Sequence, residues 1–140
     1  MGLGDNMRLP GYRAVGNHVT VQIGPGLYAL YAHLDPGSVK VRVGERVRTG
    51  QLLGLIGTSG YSMTPHLHFE IMTTPEFFPT DSVPYVFSQF RLLGRVPDRI
   101  WDDNLGLQPT GALPFVPAEP AGLHFCELPL DRTVVRFSAV

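Results

Sequence analysis

Glycine and proline punctuate the first half of this chain so closely that only short extended segments fit between them. Gly24-Pro25-Gly26, Asp35-Pro36-Gly37, Gly44-Glu45-Arg46 and Gly50 each break the backbone, at spacings of about eight to twelve residues that belong to strands joined by turns. His18-Val19-Thr20-Val21-Gln22-Ile23 alternates polar and apolar side chains, as a half-buried strand requires. Leu27 to His33 resumes as a strand rich in aromatics, so the pair reads as a β-hairpin closed by the three residues Gly24-Pro25-Gly26. Val39 to Val43 is expected as a third strand, Leu52 to Ile56 as one buried on both sides, and Leu67 to Met72 as the last. The fold class that follows is all-β: a compact antiparallel β-sandwich of short strands.

The texture changes after Ile71. Nine of the thirteen prolines lie beyond it, which argues against long helices and central strands there. We expect residues 1–74 to form one part and residues 75–140 an irregular, proline-rich extension packed on it. Within the extension, Asp81 to Arg95 holds a strand or a short helix, and Val134 to Phe137 a terminal strand. No internal repeat is visible.

Composition excludes several function classes. At 140 residues, 44% hydrophobic and 16% charged, the chain is globular rather than disordered. The net charge of −1, with ten arginines and Lys40 scattered along the sequence, gives no electrostatic case for nucleic acid or an anionic membrane. No apolar run is long enough to span a bilayer. Met1 to Pro10 has neither the basic start nor the apolar stretch of a signal peptide. Cys126, the single cysteine, rules out an intramolecular disulfide and a cysteine-based zinc cage, and is expected as a small buried hydrophobe. A lone cysteine without a signal would by itself fit the cytoplasm.

The candidate chemistry lies in histidines. In a strand, side chains two apart share a face, so His66 and His68 project together while Leu67, Phe69 and Ile71 fill the opposite face. Two neutral imidazoles so placed are able to share one site, one binding a metal and one working beside it. A His-x-His pair is also a common decoration of an exposed strand. A third histidine, His33, ends the strand Tyr28-Ala29-Leu30-Tyr31-Ala32-His33 and is expected to share a face with Tyr31.

Six blocks occur in order: Gly16-Asn17-His18-Val19, Tyr31-Ala32-His33-Leu34, Val43-Gly44-Glu45-Arg46-Val47, Gly50-Gln51, Gly57-Thr58-Ser59-Gly60 and Pro65-His66-Leu67-His68-Phe69-Glu70. Together they resemble the lysostaphin/LytM-type zinc endopeptidases, many of which cut peptide cross-bridges in peptidoglycan. The resemblance runs from about Asn17 to Ile71 and covers the C-terminal half of that catalytic core. It implies a sandwich of the duplicated hybrid motif type, with zinc as cofactor, peptidoglycan peptides as substrate, and a place in the cell envelope or outside the cell.

By position, the resemblance makes His68 a zinc ligand and His66 and His33 the catalytic histidines, while His18 and His124 match no ligand position. Tyr31 is either a supporting hydrogen-bond donor or a core side chain. Glu70 is either an orienting partner for an imidazole or a solvated strand end. Gly57 and Gly60 are read as tight turns.

The family takes its other two zinc ligands from an upstream His-x-x-x-Asp motif that this sequence lacks. Its zinc site is therefore incomplete, and Met1 is read as an internal or misassigned start, or the upstream part as lost. His124-Phe125-Cys126-Glu127 offers alternative donor atoms downstream. By itself the chain is expected to be a weak or inactive zinc metalloendopeptidase. A competing reading is a non-catalytic relative that binds cell wall or activates a hydrolase. A third arises from Val43 to Gln51, which resembles a turn of biotin- and lipoyl-bearing domains, although Lys40 lacks their modification motif.

Overall fold

The second strand of the hairpin, Leu27–Leu34, is buried along nearly its whole length, and the first unit is organised around it. A computed structural model describes residues 14–100 and 113–137. The readings of Met1 to Pro10 and of the chain start lie outside them. The chain divides into two compact units, Met1–Pro84 and Tyr85–Val140.

In the first unit, β1 (Asn17–Gly24), β2 (Leu27–Leu34) and β3 (His68–Met72) form an antiparallel sheet in the order β1-β2-β3. Gly24 still pairs with Leu27, so the hairpin loop shrinks to Pro25 and Gly26, the latter at φ +64°. Facing residues in the β2–β3 register share a face of the sheet. Ala32 opposite His68 and Leu30 opposite Glu70 lie on one face, with Tyr31 opposite Phe69 and Ala29 opposite Ile71 on the other. On the first face Leu30, Ala32 and Met72 pack with Val15 into a buried cluster, flanked by Tyr28 and Phe77. Residues beyond β3 turn back along it: Met72 bridges Ser82, and Val83 N–H donates to the Ile71 carbonyl at 2.8 Å. Residues 75–84, grouped by composition with the extension, therefore line this sheet.

Two expected strands are not formed. Val39–Val43 meets Leu52–Ile56 through Lys40 N–H to the Leu53 carbonyl at 2.8 Å, while the Leu55 carbonyl accepts from Asp35 N–H, upstream of the first segment, at 2.9 Å. The physical reason is local. Ser38 Oγ accepts the Leu55 N–H at 3.0 Å, taking a donor that a regular ladder would give to a backbone carbonyl. Nor is the second segment buried on both sides, since Leu52, Leu55 and Ile56 are each more than half exposed.

The second unit is not irregular. β4 (Phe87–Arg95) pairs with β5 (Val116–Pro117), β6 (Leu123–Glu127) and β7 (Thr133–Arg136) in an antiparallel sheet. The prolines are accommodated because they fall between strands or, at Pro117, in a two-residue edge strand. Cys126 is exposed, contrary to expectation, because β6 is mostly solvent-facing and turns left-handed there, at φ +53°. The described residues are thus almost wholly antiparallel strand and loop. None of their helices is long and apolar enough to cross a membrane.

The loop 57–61 is pressed onto the start of β1. Gly16 (φ +64°) and Gly60 (φ +76°) face each other so closely that a Cβ on Gly60 would stand 2.4 Å from Gly16 N. Only glycine meets both demands, the backbone angle and the contact. Gly60→Ala is expected to destabilise the first unit by about 2 kcal/mol or more. Urea unfolding followed by circular dichroism checks this, and an unchanged midpoint would contradict the close contact.

Candidate functional site

His33 should, by strand alternation, point with Tyr31; the backbone sends it elsewhere. Between the pairs Asn17–Leu34 and Val19–Tyr31, β2 carries one more residue than β1, which is a β-bulge. Within it His33 adopts φ +61°, a left-handed conformation uncommon for residues other than glycine, although asparagine, aspartate and histidine visit it more often than most. The backbone is held there from both sides: His33 N–H donates to the Val15 carbonyl and the His33 carbonyl accepts from Gly57 N–H, each at 3.0 Å. The ring then lies beside His68, at 5.6 Å between centroids, and beside His66, at 4.7 Å. The expectation that His33 shares a face with Tyr31 is overturned by the bulge. Tyr31 instead packs edge-on against Phe69, on the face opposite His68, and burial pushes its hydroxyl pKa up.

His66 precedes β3 and is held by a single bridge to Gly57. The three rings therefore come from a bulge, a loop and a strand start. His18 instead bonds the Gly16 carbonyl at 2.8 Å. His124, in the second unit, pairs with Glu127 at 2.7 Å and stacks on Phe90.

Each of the three rings has one nitrogen tied to an acceptor. His33 is 4% exposed, and its Nδ1–H donates to the Ser59 carbonyl at 2.7 Å. His66 Nδ1–H donates to the Thr64 carbonyl at 2.9 Å, with Ser62 Oγ at 3.2 Å. His68 Nε2 lies 3.2 Å from Glu70 Oε2. A carbonyl or carboxylate only accepts, so the proton sits on the tied nitrogen and the other keeps its lone pair. The ring of Phe77 stands edge-on to His68 at 5.9 Å, joining the site to the apolar cluster.

Ser59, Thr64, Phe77 and Ser82 were not singled out from the sequence as parts of the site. Two act through backbone carbonyls, which no side-chain pattern reveals. Ser59 lies within the block Gly57-Thr58-Ser59-Gly60, whose place in the order of motifs is its signal. Gly57 proves to matter for space rather than for turning, since a Cβ there would meet Asp35 N at 2.6 Å.

Neutral imidazoles with a fixed tautomer are the chemistry zinc prefers among nitrogen ligands, and to that extent the donors fit it. Among the described residues, however, no three His, Cys, Asp or Glu side chains stand together as a metal cage. His68 would be one ligand of a set that those residues do not complete.

Three imidazoles gathered at the end of an apolar core are a set of groups suited to proton transfer or to metal binding. Sequence comparison gives the family: the profile described as Peptidase family M23 matches residues 7–79. The chain belongs to this peptidase family. It is 44% identical over 59 residues to glycyl-glycine endopeptidase ALE-1 of Staphylococcus capitis, covering 41% of this chain and 16% of that protein. It is 39% identical over 57 residues to peptidoglycan DD-endopeptidase ShyA of Vibrio cholerae, covering 41% and 13%. With lysostaphin of Staphylococcus simulans it shares 50% over 42 residues, covering 30% and 8%. The chain thus spans under a fifth of these relatives. No solved structure matches it.

Burial holds the His33 pKa below the ordinary histidine value of 6.5; the Ser59 carbonyl opposes this, and the charges of His66 and His68 reinforce it. With the folded-state pKa below the unfolded one, the contribution of His33 to stability is complete above about pH 6.5. It is lost as pH falls from there through the lowered folded value. Asparagine tolerates left-handed backbone, so His33→Asn is expected to flatten part of that acid-side loss. Thermal midpoints of both proteins between about pH 8 and pH 5 check this, and parallel curves would contradict it.

Proposed function

We propose that this chain is the C-terminal part of a zinc metalloendopeptidase core that hydrolyses peptide cross-bridges of peptidoglycan. The observation that carries the reading is the convergence of His33, His66 and His68, each with one nitrogen anchored and one free. The match to the M23 family, and relatives that include a glycyl-glycine endopeptidase and a peptidoglycan DD-endopeptidase, support the substrate class. Residues 1–74 belong to the peptidase core in this reading and residues 75–140 to an extension. The same likeness supports a location in the cell envelope or outside the cell.

His68 would hold the metal, with ligands from outside the described residues completing the site. Bound there, zinc supplies a Lewis acid for the scissile carbonyl and a more acidic water. The protein's own part is to place neutral imidazoles around the reacting atoms. His33, kept neutral by burial, offers an unprotonated Nε2 to take a proton from the attacking water. His66, at the exposed side, presents an unprotonated Nε2 as well, and donates to the substrate oxygen only after that nitrogen has itself accepted a proton. The proton accepted by an imidazole then passes to the leaving amine. Tyr31 serves the core rather than the reaction, through its packing on Phe69.

One observation favours a second reading, a non-catalytic cell-wall-binding or hydrolase-activating relative: no three-ligand cage exists among the described residues. Two substitutions separate the readings in a protein carrying this segment and a complete ligand set. His68→Ala is expected to abolish zinc retention and cleavage. His66→Ala is expected to keep zinc and to lose about 10²- to 10⁴-fold in turnover. Elemental analysis, with mass spectrometry of fragments released from purified peptidoglycan, reads both. Zinc lost only from the His66 variant would reverse the assignment, and intact peptidoglycan with the zinc-loaded parent would favour the second reading. The present chain alone is expected to purify nearly zinc-free, and stoichiometric zinc would refute that.

A further inference from the structure

The strands of the second unit set one arginine among aliphatic side chains. Arg95, the last residue of β4, faces Val116 on β5 and Thr133 on β7, so the three stand abreast on one face of the sheet. The bulge between Leu92 and Gly94 brings Leu92 onto that face too, since its partner Val135 lies two residues from Thr133. This face and the segment at Pro97 and Asp98 bound a cavity of about 420 Å³, within the size range of small-molecule sites. Leu92, Val116 and Ala118 line it together with the rings of Pro97 and Pro117.

The polar groups of the lining are few, and most are already engaged. Thr133 donates its hydroxyl to the Leu130 carbonyl at 2.5 Å. Asp98 is held at 2.7 Å by Arg132, which also reaches Asp131 at 3.1 Å. Arg95 meets the same Asp98 only at 3.4 Å, with 60% of its side chain exposed, and an open pair of that length adds little. Among the described residues Arg95 is the one cation of the lining, and its guanidinium has donors to spare.

We propose that this cavity binds an aliphatic carboxylate, with the chain against the leucine, valine and proline walls and the head group on Arg95. The chain gains by leaving water. The guanidinium selects a carboxylate because two parallel N–H groups match its two oxygens. A peptide is served less well, since Pro97 and Pro117 have no N–H to offer an extended backbone. The site lies within the second unit and does not depend on the peptidase reading.

The probe is octanoate, added to the whole chain labelled with ¹⁵N and followed by titration calorimetry and ¹H–¹⁵N correlation. Saturable binding is expected, with shifts at the amides of Leu92, Arg95 and Ala118. Each methylene removed from the probe should weaken binding about 4-fold. Octanol, which lacks the carboxylate, should bind about 10- to 100-fold more weakly, and Arg95→Gln should lose as much for octanoate. Ala118→Phe, which fills the cavity, should abolish binding of both.

Octanoate held no more tightly than octanol, or equally well by Arg95→Gln, would overturn the proposal. So would the absence of saturable binding, shifts confined to the first unit, or tighter binding of N-acetyl-leucyl-leucine than of octanoate. If Ala118→Phe does not fold, Arg95→Gln, a change at an exposed side chain, still decides the matter.

Discussion

An L-amino acid with a side chain gives up roughly 1–3 kcal/mol to sit in a sparsely populated backbone region, and such a conformation persists only where its surroundings over-determine it. His33, at φ +61° inside the β2 bulge, is so determined. Val15 and Gly57 bond its backbone, Ser59 bonds its ring, and the Gly16–Gly60 contact holds the Ser59 loop in place. Asn17 N–H donates to Ser59 Oγ, which donates in turn to the Leu34 carbonyl at 2.7 Å, so the same loop is pinned to the residue after His33. Remove the bulge and the ring returns to the Tyr31 face, away from His68. The grouping of the three imidazoles is a consequence of one residue's backbone angle.

The sheet on which this occurs has two unlike faces. One carries Tyr31, Phe69, Ala29 and Ile71 and is purely a packing surface. The other begins as the apolar cluster of Val15, Leu30, Ala32 and Met72 and ends in polar rings. Phe77 stands at the transition, touching both the cluster and His68. Low-dielectric packing disfavours the charged form of the buried His33, and the oxygens that anchor the three rings hold them in place.

Much of the β character was legible in the sequence because turns and period-two alternation are local signals. The hairpin, the last strand of the core and the family were all readable from short blocks. Val39–Val43 and Leu52–Ile56 were misread because an apolar run cannot reveal that a serine hydroxyl will intercept a ladder bond. In the second unit the expected strands within Asp81 to Arg95 and near Val134 to Phe137 are formed, and β6 went unread because prolines count against strands only when they fall within them, and here most fall between. In the site, the identities of His33, His66 and His68 were readable from motif order. The direction of His33 was not, since alternation assumes an unbulged strand, and the anchoring carbonyls carry no signature at all.

The return of the backbone along β3 bears on where such a core should be cut. A gene fragment ending just after Met72 would keep all three histidines and every residue of the sheet. It would also strip the outer edge of β3 of its bonds to residues 81–83 and leave one oxygen of Glu70 without its hydroxyl donor. For expression or for grafting onto another scaffold, the smallest self-consistent piece therefore runs through Pro84, the end of the first unit.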